Sequence, residues 1–152
     1  MPCPACDRLA RLPDSFLIAE LRESFWLLHK HQKYAGWTTL WLKSHAEHTG
    51  LMPRAQQERL SLDVLDAAAA MHRAFDEPAT ASAPARPIRI NYENLGNVVP
   101  HVHWHLIPRR PTDPEPGATV WVRPHAETDC GVADAVRDEL VARLRAALAP
   151  RR

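Results

Sequence analysis

Apolar positions gather early in the chain into three short segments, Phe16 to Leu21, Phe25 to His29 and Trp37 to Leu42, separated by charged or Gly-containing stretches. Their length and their aromatic and β-branched content predict three strands. Pro53 follows at a point where a helix can begin, because a first-turn proline forfeits no intrahelical bond. From there Leu60, Val64, Ala67, Met71 and Phe75 recur at three- and four-residue steps, which predicts an amphipathic helix ended by Pro78. Ala79 to Pro87 is rich in proline and small residues and reads as a loop. Ile88 to Asn91 and Val98 to Ile107 predict two further strands, with Gly96 in the turn between them. Arg110 to Gly117 carries three prolines and reads as an irregular connection. Val132, Val136, Leu140, Leu144 and Leu148 then mark a closing helix over about 132–149. Strands, helix, strands, helix is the order of an α+β domain built on an antiparallel sheet of about five strands with two main helices.

Composition narrows this picture. The 152 residues fit one domain spanning 1–152 and suffice for a core. Formal net charge is +1, so no overall field favours a nucleic-acid polymer or an anionic membrane, and any anionic substrate must be held by local groups. No apolar run approaches the roughly 20 residues of a membrane span. The Met-Pro-Cys-Pro start carries no apolar signal segment, and three cysteines suit a reducing compartment better than a disulfide framework. A cytoplasmic protein is expected.

The densest chemistry lies in Pro100-His101-Val102-His103-Trp104-His105-Leu106-Ile107-Pro108-Arg109. On a strand, alternate side chains share a face, so His101, His103 and His105 line one side at steps of about 6.7 Å, and Val102, Trp104 and Leu106 line the other. Three imidazoles on one face are costly as packing, because each buried ring needs polar partners. Metal binding and histidine chemistry on a substrate both fit. A single ion held by all three is disfavoured, since three same-face residues span about 13 Å.

The His-Val-His-Trp-His-Leu-Ile run resembles the defining motif of the histidine-triad (HIT) hydrolases and nucleotidyltransferases, His-φ-His-φ-His-φ-φ with φ apolar. The Asn91 to Gly96 segment and Pro108-Arg109 are also similar, and the likeness runs in order from Cys3 to about Arg109, with Trp121 as an outlying match. The resemblance implies the family's small α+β fold, a homodimer and a nucleotide substrate, with no organic cofactor. It assigns His103 as the nucleophile on the α-phosphorus and His105 as the contact to phosphate or bridging oxygen. A neutral imidazole is a good nucleophile near pH 7, and a covalent adduct divides one hard displacement into two. Asn91 falls among the implied substrate-binding residues. Asn97 stands where the family often has glutamine, as a phosphate donor or as a turn residue after Gly96.

Cys3-Pro-Ala-Cys6 by itself reads as a metal pair, a redox pair or two idle thiols. Structural zinc needs four ligands, and His45-Ala-Glu-His48 offers a third. The zinc-bearing branch of the superfamily, which includes the galactose-1-phosphate uridylyltransferases, implies Cys3, Cys6, His45 and His101. His45 is preferred over His48 because Lys43-Ser44-His45 resembles the family's Pro-Lys-x-His strand end. The chain departs from the family at Gly36-Trp37, where the usual Gly-His would supply a histidine behind the triad. Trp37 is expected in the core, ahead of packing against the triad or stacking on a base. Glu93 and Asn94 read as turn residues ahead of contacts to ribose or phosphate, and Trp121 hints at binding shared across a dimer. His29, His31, His72, His125 and Cys130 receive no role. The substrates implied are dinucleoside polyphosphates or nucleoside phosphoramidates. The alternatives are a phosphorylase-type nucleotidyltransferase, a nucleotide-binding sensor with little turnover, and a metallo-hydrolase with ions on His103 and His105.

Overall fold

The structure, a computed structural model, describes residues 3–122 and 131–149. His125 and Cys130 lie outside the described residues. A short helix α1 (Pro4–Leu9) precedes three strands, β1 (Leu17–Glu20), β2 (Ser24–Leu28) and β3 (Thr38–Leu42). The long helix α2 (Arg54–Phe75) follows, then β4 (Arg89–Glu93), β5 (His103–Arg109) and the closing helix α3 (Asp134–Ala147). The strands form one antiparallel sheet in the order β1-β2-β3-β5-β4. This is the α+β architecture that the apolar pattern predicts. No helix of the described residues is long and apolar enough to cross a membrane.

Register decides what each face carries. Leu40 pairs with Trp104 and Thr38 with Leu106, so these residues share a face with Trp26 and Leu28. That face packs on α2 through Val64, Ala67, Met71 and Phe75 and on α3 through Val141 and Leu144. The other face carries Thr39 opposite His105 and Trp41 opposite His103. Ile107, on this second face, packs with Tyr34, Trp37 and Val120. Helices α2 and α3 cover one side of the sheet, and the histidines occupy the other.

Three expectations need correction. The last strand begins at His103, not at Val98: Pro100 has no N–H to give a ladder, and the His101 amide turns back onto the Val99 carbonyl at 2.8 Å. Strict alternation therefore holds for His103 and His105, and His101 stands at the entrance to the strand. The fourth strand runs on to Glu93, which is a strand residue paired with His105 and not a turn residue. Helix α1 is an addition; six residues opening on a proline are too short to show a helical period.

Candidate active site and metal centre

His103 and His105 are both buried, with ring centroids 5.1 Å apart. His103 Nδ1 lies 2.7 Å from the His101 carbonyl. A carbonyl only accepts, so Nδ1 carries the proton and Nε2 keeps its lone pair. The ring also stacks on Trp41 at 4.4 Å and 11°. The amide of Asn94 donates to the carbonyl of His103 itself at 2.7 Å, bracing the strand at the triad. Burial lowers the His103 pKa, opposed by the bond to His101.

His105 is set differently. The indole N–H of Trp37 donates to its Nδ1 at 3.1 Å. Burial, and then the neighbouring His103, lower its pKa to about 4. Trp37 itself is stacked on His29 at 4.2 Å and 18°. His29 in turn is pushed down to about 3, first by burial and then by His105. Trp121 closes this end of the site, edge-on to His105 at 5.5 Å and to Trp37 at 5.7 Å, and its indole donates to Glu93. Trp121 thus contacts the site of its own chain.

The expected substrate residues are not equally close to this cluster. Asn91 lies on β4 opposite Ile107, with its amide on Glu93 at 3.3 Å. Asn97 is exposed on the loop and has no hydrogen bond among the described residues. Trp37, Asn94 and Glu93 join the site, the second reading for each of them after core or turn, and so does His29, which has no expected role. Strand alternation could have placed Glu93 beside Asn91; nothing local could have placed the indole of Trp37 on His105.

Cys3, Cys6, His45 and His101 converge so that their ligand atoms all lie within 4.8 Å of one another. Cys3 Sγ and Cys6 Sγ are each 3.5 Å from His101 Nδ1, and Cys6 Sγ is 3.6 Å from His45 Nδ1. Tetrahedral zinc, with Zn–S about 2.3 Å and Zn–N about 2.05 Å, sets sulfur and nitrogen about 3.6 Å apart. The residues therefore fit the ion. His101 Nε2 donates to the Leu42 carbonyl at 2.8 Å, which leaves Nδ1 as a lone pair facing the thiols. Burial, ahead of contacts with Cys3, raises the Cys6 thiol pKa. His48 is outside the cluster.

The profile of the HIT domain family matches residues 11–112. The chain belongs to the HIT family. HIT proteins are generally nucleotide hydrolases or nucleotidyltransferases, and some only bind nucleotides. Among solved structures, a HIT protein from Sinorhizobium meliloti shares 22% identity, with 93% of this chain and 94% of that one covered at a TM-score of 0.72. A zinc-bound HIT protein from Mycobacterium smegmatis shares 20%, covering 97% and 94% at 0.64. A hypothetical histidine triad nucleotide-binding protein from Sulfolobus tokodaii shares 18%, covering 96% and 91% at 0.68. A search of curated proteins found no match.

Proposed function

We propose that this HIT protein cleaves a nucleotide at its α-phosphorus through a covalent nucleotidyl-His103 intermediate. The observation that carries the reading is the bond from His103 Nδ1–H to the His101 carbonyl, which leaves Nε2 free to attack. In the first displacement the Nε2 lone pair forms the P–N bond as the bond to the leaving oxygen breaks. The ring becomes a cation whose Nδ1 keeps its proton and its hydrogen bond to the His101 carbonyl. Trp41, stacked on that ring, presents a π face to the new charge. Water or another acceptor then displaces His103, giving up its proton to solvent. The proton on His105 Nε2, opposite the nitrogen that Trp37 engages, is placed to bond phosphate or bridging oxygen.

Cys3, Cys6, His45 and His101 would hold zinc, which when bound ties the N-terminal segment to the strand that carries the nucleophile. The zinc-bound relative supports this reading. Family likeness extends the proposal to a homodimer, measurable by sedimentation, and the free Cys3 and Cys6 suit a reducing cytoplasm.

Two in-line displacements restore configuration at phosphorus, whereas one inverts it. A chiral thiophosphate nucleotide should therefore react with net retention, and a denaturing quench at alkaline pH should trap an acid-labile nucleotide label on the protein. The label should vanish in His103→Ala. Net inversion with unlabelled protein would mean direct attack by water and would overturn the reading.

A further inference from the structure

Trp37 occupies the place where a histidine is usual, and its indole N–H meets Nδ1 of His105 at 3.1 Å. An indole nitrogen only donates, so His105 must keep Nδ1 as an acceptor and carry its proton on Nε2. We infer that Trp37 is a positioning residue that holds His105 as a neutral Nε2–H donor at neutral pH, and that this restricts the enzyme to phosphoanhydride substrates over phosphoramidates. The inference rests on the proposed nucleotidyl transfer to His103 and names its substrate class.

The indole has little freedom to turn away. Trp37 is 2% exposed, stacked on His29 and edge-on to Tyr34 and Trp121. Its backbone N–H is held by the Tyr34 carbonyl at 3.0 Å. Gly36 just before it has φ +93°, and a Cβ there would lie 2.6 Å from Phe75 Cε2, so the entry to Trp37 is fixed sterically. Protonating His105 would turn its Nδ1 into a second donor aimed at the indole N–H, a repulsive pair in a buried site. The groups around the ring act in the same direction or are engaged elsewhere. Burial and His103, on the same strand, oppose a positive charge on it, and His29, from the end of β2, sits edge-on to it at 5.7 Å. Glu93, opposite on β4, accepts from Trp121 and from Asn91.

The chemical consequence follows from the proton inventory. A neutral imidazole that gave up its Nε2 proton would become an imidazolate, so His105 can hydrogen-bond the leaving atom but not protonate it. When a phosphoanhydride is cleaved, the P–O electron pair leaves on a phosphate oxygen that is stable as an anion, and a hydrogen bond suffices. When a phosphoramidate is cleaved, the P–N pair leaves on nitrogen, which must acquire a proton to depart as an amine. Among the described residues no cationic acid stands beside His103 to supply it. General acid catalysis is commonly worth about 10²–10⁴ in rate, which sets the scale of the expected discrimination.

Two measurements test this. Nitrogen-detected NMR of uniformly labelled protein should show His105 as the Nε2–H tautomer at neutral pH, and the tautomer should become mixed in Trp37→Phe, which keeps an aromatic ring and loses the N–H. Wild-type kcat/KM should favour a dinucleoside tetraphosphate over a nucleoside phosphoramidate by about a hundredfold or more, and Trp37→His should narrow that ratio mainly through kcat on the phosphoramidate. A wild-type His105 protonated on Nδ1 overturns the inference even if neither variant folds. So does wild-type turnover of the phosphoramidate at a rate matching the anhydride. Failure to cleave either substrate would instead defeat the proposed activity, and the wild-type tautomer would still decide the role of Trp37.

Discussion

Two imidazoles on one strand are held in different tautomers by what their Nδ1 atoms meet: a carbonyl at His103, which forces a proton on, and an indole N–H at His105, which keeps one off. The same surroundings make stability depend on pH. His105 and His29 protonate in the folded protein only near pH 4 and 3, against an ordinary value near 6.5. Between those limits the unfolded chain binds more protons than the folded one, so stability falls as pH drops from about 6.5 toward about 4, and this contribution levels off once the native rings protonate as well. His29→Gln removes one such ring. Urea denaturation from pH 7 to 4 should give a shallower loss for the variant than for the wild type; equal slopes would show that His29 is not held neutral by the fold.

At the level of elements, the join between α2 and the β1–β2 turn rests on Asp63, a fully buried carboxylate on an otherwise apolar helix face. It accepts the amides of Arg22, Glu23 and Ser24 at 3.0, 2.8 and 3.1 Å, together with the Ser24 hydroxyl at 2.9 Å. Arg22 Nη1 sits 3.3 Å away as the counter-ion. Substituting Asp63→Ala strands these donors, and a loss of about 3–5 kcal/mol is expected. Chemical denaturation checks it; a loss below about 1 kcal/mol would mean that water replaces the carboxylate without strain. The helical period of α2 is legible in sequence, and so is the existence of each strand. The extent of β4 and the start of β5 are not, because they depend on which residues find a neighbour to pair with.

Across the whole molecule, the cluster of Cys3, Cys6, His45 and His101 draws together the N-terminal segment, the end of β3 and the entrance of β5. Protein purified without a histidine tag should contain about one zinc per chain, given the four-ligand requirement of a structural site. A Cys3→Ser, Cys6→Ser double variant should lose the zinc and melt at lower temperature, because metal binding to the native chain adds to its folding free energy. Metal analysis and calorimetry read this out, and unchanged zinc content would remove the site. The sequence alone determined the α+β class, the alternation that puts His103 and His105 together on a face opposite Trp104 and Leu106, and the residue types able to hold zinc. Each of these depends on local periodicity or on the chemistry of single side chains. Only the tertiary structure decided that the ligand atoms of His45 and both cysteines come within 4.8 Å of one another, that Asn94 braces the triad strand while Asn97 stays in the loop, and that the indole N–H of Trp37 meets Nδ1 of His105. Those outcomes depend on register between strands and on a hairpin end set by Gly36, which bring together atoms from distant parts of the chain.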